Sequence, residues 1–312
     1  MNNVSAKVED YLQYCTLEKK LDPKTIKSYR CDLSQFLTWL ASEKRLFNRE
    51  TLHAYIVALN AKFSVSSVKR KLASIRAFAS YLEETESSDN PFRRLRISIK
   101  EPKRLPRTIP IETLNTLFKA LYTKQDAVRE TQYSQFRTAR DRAIIELFIA
   151  SGIRVAELCL LNMESINLSN KTIRIMGKGS KERIIQIENK NTIDSLERYV
   201  QTLVETRPEQ CFQQEKPLFL NRFGGRISDQ SVRNIIRHWI EVAGLSVNIT
   251  PHMFRHTFAT LLLENNVDIR YIQRFLGHSS ITTTEIYTHV TSSKMRDILK
   301  THNPRSALSI GE

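Results

Sequence analysis

Glycine is scarce in this chain, eight in 312 residues, and a turn-rich all-β fold is hard to build without it. Cysteine is scarce as well. Cys15, Cys31, Cys159 and Cys211 form no CxxC pair, and the chain is far longer than a disulfide-stapled mini-domain, so reduced thiols in a cytosolic protein are expected. No apolar run approaches the ~20 residues of a membrane span. The opening MNNVSAKVEDYLQYC has no apolar core behind basic residues, which excludes a secretory signal. Acidic residues are also in short supply: 33 Asp and Glu face 48 Lys and Arg, a formal net charge of +15. Such an excess favours a polyanionic partner, because protein cations displace the counterions condensed on nucleic acid; a basic, merely solvated surface is the ordinary alternative. With 41% hydrophobic residues the chain has material for two folded domains.

Hydrophobic periodicity predicts four helices before residue 88. The first covers Val4 to Lys19. The second follows the cap and first-turn pair Asp22-Pro23 and runs to Ser42, with Ile26, Tyr29, Leu33, Phe36, Leu37 and Leu40 at helical spacing. A third spans Arg49 to Leu59, and a fourth Ser66 to Glu84. On the fourth, Val68, Leu72, Ile75, Phe78 and Leu82 form one stripe, while Lys69, Arg70, Lys71 and Arg76 lie largely off it. That basic face suits either phosphates or plain solvent. Residues 89–110 carry Pro91, Pro102, Pro106 and Pro110 among seven Arg and Lys, which reads as an extended basic linker.

A larger unit, 111–290, follows, and 291–312 form a tail. Ile111 to Tyr122 reads as helix and Thr123 to Thr138 as a polar loop holding a short helix. Arg140 to Ala150 reads as a buried helix broken at Ser151-Gly152, with a short helix from Val155 to Leu161. Residues 172–176 and 183–187 read as strands around a glycine-bearing turn, and helices return from Ile193. The fold class expected is mainly α with a small β-sheet. In the tail, Met295, Ile298 and Leu299 make an apolar face on Ser292 to Thr301.

Four stretches stand out together: SGIRVAEL at 151–158, MGKGSKER at 176–183, PHMFRHTFAT at 251–260 and LGHSSITTTEIYTHV at 276–290. Each has an ordinary explanation alone: a helix-end ion pair, a turn lysine, core histidines, a packed tyrosine. In this order and with these neighbours they closely resemble the catalytic motifs of the tyrosine recombinases, the family of phage integrases and Xer recombinases. The resemblance covers nearly all of 111–290. It extends to the helical first domain, similar to the family's four-helix, SAM-like core-binding domain, and to the closing THNPRSA at 301–307. The fold it implies is that domain plus an α/β catalytic domain, closing on DNA as a C-shaped clamp.

The resemblance implies that Tyr287 is the nucleophile, that Arg154 and Arg255 hold the scissile phosphate, and that Lys178 is the hairpin lysine. His252 would open the His-x-x-Arg motif, His278 would be the second histidine, and Glu157 the supporting acidic residue. It also implies a 3′-phosphotyrosyl intermediate, two strand exchanges through a four-way (Holliday) junction, and a homotetramer on DNA or a heterotetramer with a second recombinase. A tail that docks on a neighbouring subunit is implied too; packing on its own domain is the alternative. No cofactor, metal or ATP is expected. Met253 and Phe254 depart mildly from the expected motif, and none of the catalytic positions is lost.

Physical chemistry asks for these residue types. A phosphodiester is anionic and reacts slowly, so attack on it needs charge neutralisation. Arginine gives planar donors for two phosphate oxygens and stays protonated. A tyrosine hydroxyl of pKa about 10 needs nearby cations and a proton acceptor, and the leaving 5′-oxygen needs a proton, which a lysine on a turn can supply. His252 and Arg255, three apart, share a helix face. Ser228 reads as the N-cap of a helix whose Arg233 and Arg237 face either DNA or solvent.

Three rivals are open. His252 and His256 at i, i+4 suggest a metal hydrolase, but a zincin needs Glu where Met253 stands. An inactive DNA-binding regulator of the same fold and a type IB topoisomerase-like enzyme are the others. Within recombinases, both chromosome-dimer resolution and integration or excision of a mobile element fit. The absence of extra N-terminal residues argues against an added arm-site-binding domain. The expected place of work is the cytoplasm, at the nucleoid when DNA is bound.

Overall fold

The computed structural model describes residues 2–86, 88–93, 107–123, 131–177, 182–207, 216–277 and 298–308. The chain divides into two compact units, Met1–Arg104 and Leu105–Glu312.

The described residues of the first unit form four helices: α1 (Asn2–Leu17), α2 (Pro23–Ser42), α3 (Arg49–Lys62) and α4 (Val65–Glu86). Asp22 caps α2 by accepting from the Lys24 N–H at 2.8 Å, with Pro23 in the first turn. Asn48 caps α3 through the Thr51 N–H at 2.9 Å. Leu33, Phe36, Leu52, Val68, Ile75 and Phe78 are fully buried where the helices meet.

One polar group sits inside that core. Asp32 is buried and accepts from Arg70, from Lys71 Nζ at 3.2 Å and from Ser74 Oγ at 2.9 Å. Lys71 therefore does not belong to an open basic face. It is buried, bonds Gln35 as well, and lies 4.9 Å from the Phe63 ring centroid. A buried carboxylate needs a cation, and Lys71 on α4 is placed to supply one to α2. Lys69, Arg70 and Arg76 are exposed, with Arg76 5.0 Å from the centroid of Phe92.

The second unit wraps around α6 (Gln132–Ser151), which is buried continuously from Thr138 to Ser151. Around it lie α5 (Ile111–Thr123), α7 (Val155–Leu160), α8 (Lys190–Thr206), α9 (Asp229–Val242), α10 (Pro251–Glu264) and α11 (Ile269–Leu276). α6 starts earlier than its sequence suggests. Thr131 caps it by accepting from the Ser134 N–H at 3.2 Å, and much of the expected loop is its first turns. Only Phe136 among residues 132–137 faces inward, so the apolar period is missing there.

Three antiparallel strands, β1 (Ile166–Asn167), β2 (Thr172–Met176) and β3 (Glu182–Gln186), form a sheet in the order β1-β2-β3. The register pairs Ile173 with Ile185 and Ile175 with Arg183. The two-residue β1 was too short to show a period in sequence.

The polar residues inside α6 are paired. Arg140 donates to Asp141 and to the Leu220 carbonyl, and Trp239 Nε1 donates to Asp141 at 3.2 Å. Glu146 accepts from Tyr122 Oη at 2.6 Å, Thr192 Oγ1 at 2.9 Å and Arg305 Nε at 2.9 Å to both oxygens. Arg305 is 1% exposed and lies 4.5 Å from the Phe118 ring centroid.

The same pairing reaches the tail. Over 298–308 it packs on its own unit: Leu299 and Leu308 are buried, and Asn303 Nδ2 donates to the Ala150 carbonyl at 3.3 Å. Ile298 and Leu299, part of the face expected to meet a neighbour, lie against this chain's core; Met295 is outside the described residues.

Arg305→Ala leaves Glu146 buried without its cation and is expected to lower stability by about 3–5 kcal/mol in chemical denaturation. Replacing both partners by apolar residues is expected to recover much of that loss.

Candidate active site

The site begins where α6 ends. Gly152 closes α6 in the left-handed region, φ +60°, and its N–H bonds the Phe148 carbonyl at 3.0 Å. A Cβ at Gly152 would come within 2.7 Å of Phe258 and 2.9 Å of Leu276, so glycine is required by both conformation and space. The turn places Arg154 directly before α7 and leaves the Gly152 carbonyl facing α10. Arg255, buried on α10, donates through Nη1 to that carbonyl at 2.7 Å and through Nη2 to the Leu276 carbonyl at 2.6 Å. Its guanidinium is thus fixed by the ends of two other helices, α6 and α11. Burial first, and then the charge of Arg154, lower the Arg255 pKa to about 10, so it stays protonated at neutral pH. Arg154 follows two residues after the carbonyl that Arg255 bonds, so both cations belong to the same turn.

Glu157 sits at the third position of α7. It accepts the Arg154 backbone N–H at 2.9 Å and Arg154 Nη1 at 2.7 Å, which both caps the helix and holds the arginine. It also accepts two bonds from Arg183 on β3, Nη1 at 2.9 Å and Nη2 at 2.7 Å. Burial pushes the Glu157 carboxyl up, but the hydrogen bonds from Arg183 and Arg154 outweigh it and hold the pKa at about 2.

His252, at the start of α10, is exposed at its surface. Partial desolvation of its ring, then His256, Arg233, Arg255 and Arg154, lower its pKa from the ordinary histidine value. It therefore remains a neutral proton acceptor at neutral pH. Those surrounding cations also oppose a divalent ion on the His252 and His256 pair. Among the described residues no three His, Cys, Asp or Glu side chains gather as a metal site needs.

The structure thus brings Arg154, Glu157, His252 and Arg255 together. Lys178, His278 and Tyr287 lie outside the described residues. Arg183 was not singled out in the sequence. Its signal was an arginine two residues before Ile185, on the inward face of a strand.

α9 carries the expected cap, with Ser228 accepting from the Ser231 N–H at 3.2 Å. Arg233 and Arg237, with Glu241, Ser246, Asn248 and Thr250, line a groove of about 590 Å³ that ends at Pro251, the first residue of α10. Arg233 is half-buried and near enough to act on His252; Arg237 is exposed and bonds Asn234 at 3.3 Å. Among the described residues no helix is long and apolar enough to cross a membrane.

Residues 114–294 match the Phage integrase family, and residues 8–86 match the Phage integrase, N-terminal SAM-like domain. The chain is 44% identical to a tyrosine recombinase of Agathobacter rectalis over 307 residues, 98% of each chain. It is 34% identical to tyrosine recombinase XerC of Halalkalibacterium halodurans, covering 96% of this chain and 97% of the relative. A crystal structure of XerH site-specific recombinase bound to difH substrate, a pre-cleavage complex, superposes with a TM-score of 0.66 at 22% identity, covering 94% of this chain and 83% of that one.

Gly152→Ala is expected to lower stability by about 2–4 kcal/mol, from left-handed strain and overpacking, read by chemical denaturation. The depressed Glu157 pKa sets a second expectation. Its contribution to stability is complete above the unfolded value near 4.3 and is lost as pH falls toward about 2. An acid titration of stability should therefore lose a component in that window, and Glu157→Gln should remove it.

Proposed function

The chain belongs to the phage integrase family, and from that membership and the site geometry we infer that it is a site-specific tyrosine recombinase of the Xer type, cutting and rejoining double-stranded DNA through Tyr287. The observation that carries the chemistry is the fixing of Arg255 by the Gly152 and Leu276 carbonyls beside an Arg154 held by Glu157. Two cations preset in this way can bind two oxygens of one phosphodiester and stabilise the added charge of its transition state.

The proposed step is a transesterification. The Tyr287 oxygen attacks phosphorus, the bond from phosphorus to the 5′-oxygen breaks, and a 3′-phosphotyrosyl link forms. The tyrosine proton passes to His252 or His278, and Lys178 gives a proton to the leaving 5′-oxygen. The number of phosphoester bonds is unchanged, so a 5′-hydroxyl from a partner strand reverses the step without ATP. No metal is needed for charge that Arg154 and Arg255 already supply. Two such exchanges in sequence, through a Holliday junction, recombine two sites held by four subunits, either one recombinase or two.

In this reading residues 1–88 are the core-binding domain, 89–110 the basic linker, 111–290 the cutting domain and 291–312 a tail for subunit contact; the family matches at 8–86 and 114–294 support the first and third. Lys69, Arg70 and Arg76 on α4 and Arg233 and Arg237 on α9 are the proposed DNA contacts. The groove beside α10 adds donors and acceptors from Ser246, Asn248 and Thr250 to the α9 arginines. Chromosome-dimer resolution and movement of a mobile element both use this chemistry.

With nicked suicide DNA carrying the native site, the wild type is expected to form a covalent adduct. Tyr287→Phe should form none and still bind, whereas an adduct in that variant would overturn the assignment. Arg154→Ala and Arg255→Ala should each slow cleavage by about 10²-fold or more with a much smaller loss of affinity. Cleavage should persist below the usual histidine range near 6.5, because His252 stays neutral to lower pH.

A further inference from the structure

Arg183 occupies a place where arginine is costly. It lies opposite Ile175 in the β2–β3 ladder, on the face of β3 that also buries Ile185, and its side chain is 14% exposed. A Cβ added at Gly277 would meet Arg183 Cδ and Nη1 at 3.2 Å, so the end of α11 closes over it. Burying a guanidinium in this way is unfavourable unless it answers a charge nearby. That charge is Glu157, reached by two parallel bonds of 2.9 and 2.7 Å.

Glu157 has two cations, and they differ in what else they do. Arg154 is bonded through Nη1 and is half-exposed, while Arg183 is bonded through both terminal nitrogens and is turned inward. One carboxylate bound to Arg154 alone would hold that arginine well but cancel its charge where an anion has to bind. With Arg183 present, the group of two guanidiniums and one carboxylate keeps a net positive charge.

We propose that Arg183 is a positioning residue for strand cleavage: it answers the charge of Glu157, so that the carboxylate can orient Arg154 without neutralising it at the scissile phosphate. This rests on the recombinase reading. The competing role, a plain staple between β3 and α7, predicts a different response to charge.

The test is single-turnover cleavage of nicked suicide DNA by the full chain, with DNA affinity and thermal unfolding measured beside it. Arg183→Gln keeps a hydrogen-bonding side chain and loses the charge; it should cleave about 10²-fold more slowly at nearly unchanged affinity. Arg183→Lys keeps the charge and should stay within about tenfold of wild type. Adding Glu157→Gln to Arg183→Gln removes the charge that would cancel Arg154, and should raise cleavage about tenfold or more over Arg183→Gln alone. If the double variant is no faster, or if Arg183→Lys is as slow as Arg183→Gln, the proposal is overturned. Where Arg183→Gln does not fold, Arg183→Lys decides: a loss beyond about 10²-fold at equal folded fraction overturns it. A wild type that makes no adduct, or a Tyr287→Phe variant that does, would overturn the underlying reading and this inference with it.

Discussion

The buried carboxylate of Glu157 is the point on which the catalytic unit depends. A carboxylate in that position is stable only if its lone pairs and charge are answered, and four N–H groups from Arg154 and Arg183 do so. Those donors come from two places in the chain, the start of α7 and β3. Satisfying one buried charge thereby ties the helix start to the hairpin strand and fixes Arg154 in the same act.

A second constraint sets the other arginine. Gly152 must take a left-handed conformation to end α6, and that turn presents its carbonyl to Arg255. The Leu276 carbonyl at the end of α11 supplies the other bond. α6 itself is held by polar pairs inside an apolar shell, and Glu146 with Arg305 extends that shell to the tail. Site and core are therefore one structure: the helix whose burial organises the unit also ends at the turn that positions both cations.

Much of this was legible in the sequence, for identifiable reasons. Arg154, Glu157, His252 and Arg255 lie in short motifs at helix starts, where local sequence sets geometry. The caps at Asp22 and Ser228 are equally local. What was not legible depends on partners distant in the chain. Lys71 looked like a surface cation because Asp32 is 39 residues away. The start of α6 was hidden because only Phe136 faces inward there. Arg183 read as an ordinary strand residue because its partner Glu157 lies 26 residues earlier, and the burial of Arg305 was hidden because Glu146 lies 159 residues away. Pairs of buried charges leave no periodic trace, and these were the contacts that sequence patterning missed.

Under the proposed function, Tyr287 attacks the phosphate held by Arg154 and Arg255. Mass spectrometry of the trypsin-digested DNA adduct tests it most directly. Cleavage after Arg274 and Lys294 releases a peptide, 275–294, in which Tyr287 is the only tyrosine. The nucleotide is expected on this peptide, linked to Tyr287 through a 3′-phosphate. A linkage at any other residue, or through a 5′-phosphate, would contradict it.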